Sequence, residues 1–541
     1  MPFYHSLEFQ APLCGVLVLI FCVYRRFTRS SIAQVAGPPR TSWLFGALHL
    51  LYRSESGVME RQWQEKYGDI VRIPGPLWHD YLLISDPRAL YHVLQAGGYR
   101  FYKDKERSHF THLVTGSGIV YVDGEVHKRQ RKILLPGFGA PEAKSYVPVF
   151  GSCAAKMVSK WKDVITESDG QAVINVLPWL SRAALDALGQ AVFDHNFGAL
   201  DDSNNDLAKS YLNLLPDTFG APSDLLLLSI VSWRYLPQRF VRYLVDSIPS
   251  KRTENARRNM AIANKVSEQL LAEREDKLSG GRNHKDIMSL MVQANSAEDP
   301  SRQLSHEEMV SQLRTLILAG HETTANTLGW TLLELARHPK VQKQLRHEIR
   351  EAKGNRSGDE WTWKDYGAMP YLNAVIKESL RFDNVAPMPA NRVNDEDEVL
   401  PLARPITLTT GDVVHELFIP KGTYIIPWAT GHNWNRSIWG DDAHVFNPER
   451  WMKEKAAHED VSLGMWANLM SFSAGIRGCM GWRFAVYELQ AFLVEIVDAF
   501  EFLVAPEARN IRREQTFVMS PTIEGRVDEG SQLPLLVRHT S

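Results

Sequence analysis

The segment FSAGIRGCMG, Phe472 to Gly481, sets one cysteine among three glycines, Gly475, Gly478 and Gly481. The chain has four cysteines, Cys14, Cys22, Cys153 and Cys479, and no Cys-x-x-Cys pair. That usage argues against a disulfide framework or a cysteine-rich zinc site. A solitary thiolate is a soft ligand for a transition metal such as iron. The run from Gly481 to Phe500 has helical period, so Cys479 stands at a helix N-terminus, where backbone N–H groups and the helix dipole favour the thiolate. Glycines beside it let the backbone approach something large and flat. Taken alone, the segment reads by default as an inert buried cysteine in a glycine turn.

A second stretch able to do chemistry is LILAGHETTANT, Leu316 to Thr327. Ala319 and Gly320 remove bulk from one helical turn, and Thr323, four residues after Ala319, can bond back to its carbonyl and loosen that turn. Glu322 adds an acid beside it. Taken alone, this too fits a small-residue helix crossing with a solvated carboxylate. The helix that must carry it opens on a capping box, Ser305 with Glu308, and its pattern continues to about Ala336. At about 1.5 Å per residue it is roughly 48 Å long, enough to cross a whole core.

Around these stretches the pattern is mainly α with a small β part. Strand signals lie at Asp69–Gly75 and Tyr81–Ser85, followed by a helix at Asp86–Gln95, and Glu416–Gly431 reads as a hairpin about a Pro-Lys-Gly turn. Leu177–Phe193 and Asn259–Asp276 have helical period. No linker, repeat or charge block divides the 541 residues after the N-terminus. The 61 Lys+Arg nearly cancel 63 Asp+Glu, so no global field recruits nucleic acid and no nucleic-acid partner is expected. Ala11 to Tyr24 is uncharged and is followed by Arg25 and Arg26. This order favours a signal anchor over a cleaved signal peptide. The expected organisation is a membrane anchor at 1–24, a basic and Pro-rich linker at 25–40 and a catalytic body at 41–541.

Phe472, Gly475, Arg477, Cys479 and Gly481 together resemble the haem-binding signature of the cytochrome P-450 family. Four further motifs follow the family's order: HKRQR (His127–Arg131), AGHETT (Ala319–Thr324), ESLR (Glu378–Arg381) and FNPERW (Phe446–Trp451). The resemblance runs from about Gly37 to the end of the chain and implies the family's fold, with one long helix across a haem b. It implies that Cys479 is the thiolate ligand of the iron, shielded by Phe472, and that Arg477 and Arg131 pair with haem propionates. His127 departs from the family's usual Trp at its position and would donate a ring N–H to the same target. Ala319 and Gly320 would line the oxygen-binding turn, with Thr323 and Glu322 handling protons. Glu378, Arg381 and Arg450 would form a structural ion-pair network.

The resemblance further implies NADPH electrons delivered by a separate reductase, with cytochrome b5 as a candidate second donor, and Lys128, Arg129 and Lys132 as a docking face. It implies an endoplasmic-reticulum membrane protein with a cytosolic catalytic domain. The substrate would be a lipophilic terpenoid, sterol-like compound, other secondary metabolite or xenobiotic. Residues 108–118, Leu316, Ala319, Val385–Arg392 and Val518–Ile523 would line its pocket, and Asp224–Pro237 is either core or a membrane-facing access helix. A hydroperoxide isomerase or dehydratase and a non-catalytic haem sensor are the alternatives. The intact Glu322–Thr323 pair weighs against both.

Overall fold

In the computed structural model, residues 31–540 are described, apart from 77–78, 106–107, 213, 233–236, 238–239, 241–242, 244–246, 248–249, 280–286, 296–302, 357 and 454–460. The architecture is mainly α with small sheets at the periphery, as the sequence pattern requires. The long helix is there: His306–Arg337, 32 residues, closed at its start by the full capping box of Ser305 and Glu308. Glu308 does double duty, accepting from Arg129 Nη2 at 2.5 Å and from Gln130 Nε2 at 3.1 Å. Arg129, expected on a docking face, is instead tied to the start of this helix. Helices Val176–Phe193, Lys251–Ser279, Pro370–Phe382 and Trp482–Ala499 pack around it.

Five short strands form the main sheet in the order Ile70–Pro74, Asp80–Ile84, Tyr424–Pro427, Arg392–Asn394, Phe101–Lys103. The first two pair antiparallel, with Ile70 opposite Ile84. The expected hairpin over Glu416–Gly431 does not form. Its turn exists, with Gly422 at φ +80°, but the two strands leave it for different sheets. Val413–Ile419 pairs with Glu398–Thr407, whereas Tyr424–Pro427 runs parallel to Asp80–Ile84. A turn signal fixes a local reversal and says nothing about which strand will supply the ladder.

The membrane anchor is corrected. Residues 1–24 lie outside the described residues, and among those described no helix is long and apolar enough to cross a membrane. The physical reason is visible in the run itself. Its uncharged core, Ala11–Tyr24, is shorter than the roughly 20 residues a span requires, and extension to Leu7 takes in Glu8 and Gln10. The transmembrane segment is withdrawn from the fold, and with it the single-pass endoplasmic-reticulum localisation. Of Asp224–Pro237, Asp224–Ser232 is a helix and 233–236 lie outside the described residues.

The network expected of Glu378, Arg381 and Arg450 is complete. The Glu378 carboxylate, fully buried, accepts from Arg381 Nε and Nη2 at 2.9 and 2.7 Å, and from Arg450 Nε at 3.1 Å. It also takes Trp451 Nε1 at 2.9 Å and the Asn447 amide at 2.8 Å. Arg381 spends its remaining donors on the carbonyls of Asn433, Ala443 and Val445. Substituting Glu378→Ala strands two buried guanidinium groups, at a cost of about 3–5 kcal/mol. Chemical unfolding checks it: a variant as stable as the parent shows that the network does not hold the fold.

Candidate active site

The cysteine loop is built by backbone. The Cys479 amide donates to the Phe472 carbonyl at 2.9 Å, and the Gly478 amide to Gly475 at 3.0 Å. Gly475 has φ +65°, and a Cβ there would lie 2.1 Å from the Leu94 carbonyl oxygen, so only glycine fits. Gly481 is under no such demand; its nearest neighbour is Phe138, at 3.7 Å. The loop is roped to the buried network. Met470 donates its amide to Asn433 Oδ1 at 3.0 Å, and Ser471 Oγ donates to the Leu380 carbonyl at 2.6 Å. Cys479 keeps accessible surface although Phe472 and Gly478 are buried. Phe472 stands edge-on to Trp466, 6.5 Å between ring centres.

Although Cys479 keeps accessible surface, the protein packed around it desolvates the thiol and pushes it above its ordinary range, opposed by the Gly481 N–H and by Arg131. The thiolate preference expected at a helix N-terminus is thus outweighed by desolvation. A cation at the sulfur reverses that balance, because a coordinating thiol is deprotonated outright.

Three chain segments, 98–104, 123–131 and that of Arg392, converge beside the loop. Arg477 grips Asp123 Oδ1 through Nη2 and Nε at 2.5 and 3.1 Å, donates Nη1 to the Gly98 carbonyl at 3.1 Å, and lies 4.7 Å over the Tyr99 ring. Arg131 donates to the Gly478 carbonyl at 2.9 Å, next to the cysteine. His127 is buried and pairs through Nδ1 with the Tyr99 hydroxyl at 2.7 Å. Arg392 is buried, lies near Arg477 and Asp123, and its Nε has no hydrogen-bond partner among the described residues. Burial and Arg477 lower its pKa to about 10. Lys103 belongs to the same cluster, pushed down to about 7 by burial and then by Arg392. Asp123 and Asp104 face this group, fewer carboxylates than there are cations.

The central helix supplies the opposite element. Between Met309 and Ala336 every residue is buried except Ala319, which is exposed, and Gly320 and Thr323, which are partly so. Thr323 Oγ1 donates to the Ala319 carbonyl at 2.7 Å, the back-bond expected from the spacing. Gly320 has a packing reason of its own: a Cβ would meet Leu188 at 2.6 Å. Glu322 turns toward the same neighbouring helix. Its Oε1 accepts from Ser181 Oγ at 3.0 Å, and its Oε2 from Asn326 at 3.4 Å. Thr323 and Glu322 therefore point to different partners. Two of the expected lining segments meet where the Met519 amide donates to the Val385 carbonyl at 2.8 Å, and Trp330 Nε1 ties Met519 to the central helix at 3.2 Å.

Residues 36–526 match the family profile described as Cytochrome P450. The chain belongs to the cytochrome P450 family. It is 32% identical to cytochrome P450 monooxygenase 205 of Postia placenta over 97% of both chains. It is 31% identical to cytochrome P450 monooxygenase claW of Ampulloclitocybe clavipes over 98% of both. A cytochrome P450 is a haem-thiolate monooxygenase that uses O2, so the protein is an oxidoreductase.

The donor set fits what a cytochrome P450 must hold. Haem presents two carboxylates, and Arg131, Arg392 and Arg477 outnumber the carboxylates of Asp123 and Asp104, with Arg392 Nε left without a partner among the described residues. The Lys103 ammonium is spent on loop carbonyls and is not part of this set. Tyr99, Lys103 and Asp123 were not singled out from the sequence, and Arg392 entered only as the end of the expected lining segment Val385–Arg392. Only Asp123, with Gly124 at a helix start, left a local signal, and that signal was a cap.

The His127 ring is held neutral, its pKa lowered to about 3 by burial and then by Lys103 and Arg477. Because the unfolded chain takes up this proton more readily, stability rises with pH between about 3 and 6.5 and is level above that. From this residue the protein loses roughly 1–3 kcal/mol on acidification to about pH 4. His127→Gln should therefore move the midpoint of acid unfolding, followed by tryptophan fluorescence, to lower pH; an unmoved midpoint contradicts the assignment.

Proposed function

We propose that Cys479 holds haem b through its sulfur and that Arg131, Arg477, His127 and Arg392 form the seat for the propionates. Phe472 shields the sulfur, Gly475 sets the loop against Leu94, and the Gly481 amide favours the thiolate. Residues 41–541 act as one catalytic domain, supplied with NADPH electrons by a separate reductase, with cytochrome b5 as a second donor. The substrate is a lipophilic small molecule, of the terpenoid, sterol-like, secondary-metabolite or xenobiotic kind. The observation that carries the reading is one of exposure. Between Met309 and Ala336 of the central helix the positions left open are Ala319, Gly320 and Thr323, and the residue Cys479 is exposed too. The apolar character of Leu316, Val385, Val518 and Met519, all buried, supports a lipophilic substrate.

Haem bound through a thiolate supplies the oxygen activation and one-electron chemistry. The chain's own task is to manage protons and water. With its hydrogen committed to the Ala319 carbonyl, the Thr323 hydroxyl offers a lone pair and orients a water at the open turn. Glu322 is the acid of the pair; its bonds to Ser181 and Asn326 mark a resting position from which it turns to recharge that water. Relay through a bound water is ordinary general acid work.

Two measurements test the proposal. The reduced carbon monoxide adduct should show the absorbance band typical of thiolate coordination and lose it in Cys479→His; a parent protein without the band sinks the assignment. Thr323→Ala should keep its haem, while product formed per NADPH falls about ten-fold or more and hydrogen peroxide accumulates. An unchanged yield removes Thr323 from the relay.

A further inference from the structure

The loop 116–122 joins the helix Ser108–Thr115 to the helix Gly124–Leu134 and lies directly on the central helix. The Ser117 amide donates to Ser311 Oγ at 3.1 Å and the Ile119 amide to Gln312 Oε1 at 3.1 Å; Thr315 Oγ1, whose hydrogen goes to the Ser311 carbonyl at 2.7 Å, lies 3.4 Å from the Thr115 carbonyl. The approach is too close for side chains. A Cβ at Gly116 would stand 2.4 Å from Ser311 Oγ, and one at Gly118 would stand 2.2 Å from Thr315 Oγ1. Ser311, Thr315, Ala319 and Thr323 are successive i, i+4 positions, neighbours along one stripe of the helix. The loop therefore covers this stripe up to the turn before it opens at Ala319.

What presses the loop down from its other side is Lys103. Its Nζ donates to the carbonyls of Ile119, Val120 and Val122 at 3.1, 2.7 and 2.8 Å. An ammonium has three hydrogens, and these three carbonyls account for all of them. The Lys103 amide donates to Asp123 Oδ2 at 2.6 Å, on the carboxylate whose other oxygen holds Arg477. One residue, through its side chain and its amide, thus links a strand edge, the loop and the carboxylate that holds Arg477.

We propose that Lys103 is a positioning residue for substrate: by gathering three carbonyls it fixes loop 116–122 against Ser311 and Thr315 and sets one wall of the space beside Ala319. This rests on the reading that the space between Ala319 and Cys479 is the haem and reaction site. Large ligands reach that wall and small ones do not, so Lys103 governs discrimination by size and leaves the cofactor seat alone.

The test uses purified holoenzyme and two nitrogen ligands of iron, imidazole and phenylimidazole, titrated by haem absorbance, with hydrogen exchange at the Ile119 amide as a readout independent of ligand. In Lys103→Met, Ile119 exchange should rise and phenylimidazole affinity should fall, each about ten-fold, the equivalent of one buried contact. Imidazole affinity and haem content should stay within about two-fold of the parent. Gly118→Ala pushes the same loop off Thr315 with Lys103 in place and should give the same discrimination, which keeps the idea testable if Lys103→Met loads poorly. Equal losses for both ligands, or unchanged Ile119 exchange, overturn the role of Lys103. Failure of the parent protein to give any nitrogen-ligation spectrum overturns the haem reading instead, while the exchange measurement still decides the fate of the loop.

Discussion

A single carboxylate, that of Glu378, accepts five hydrogen bonds out of contact with water, and the cysteine loop hangs from the structure it organises. Arg381, fixed by that carboxylate, donates to the Asn433 carbonyl; Asn433 in turn holds Met470 and Ser471 through its side chain. From there the chain passes to Phe472, whose carbonyl receives the Cys479 amide. Buried ion pairs contribute little net stability when compared with an apolar replacement, but they define geometry sharply because an unpaired member is so costly. Here the geometry defined is the position of a sulfur atom.

Charge completes the arrangement. Arg477, Arg392 and Arg131 gather where Asp123 and Asp104 supply too few compensating carboxylates, a state that burial makes expensive. The neutral His127, the lowered Arg392 and the raised Cys479 thiol are responses to the same desolvation. The haem seat proposed above would answer both ends of the problem, with the cofactor's acids toward the surplus cations and its iron toward the sulfur.

The sequence was most legible where chemistry and local structure coincide. The Phe472–Gly481 signature and the capping box of Ser305 and Glu308 each depend on residues close in the chain, so short-range spacing records them. The Glu378–Arg381 pair, i, i+3 on one helix, was legible for the same reason. Tyr99, Lys103, Asp123 and Arg392 were not, since they meet only after the sheet brings the strands Phe101–Lys103 and Arg392–Asn394 together. Of the hairpin expected over Glu416–Gly431 the first strand exists, as Val413–Ile419, but it pairs with Glu398–Thr407, because a turn does not decide which strand completes the ladder. Glu322 and Thr323, adjacent in sequence, diverge because consecutive helical residues face different neighbours.

The packing of Leu188 against Gly320 leaves the two small residues of the central turn unequal. A larger side chain at 320 would wedge two helices apart, whereas 319 is an exposed position. Under the proposed function, added bulk meant to reshape selectivity therefore has one admissible address on that turn. The neighbouring glycine belongs to the scaffold, however near it lies to the chemistry.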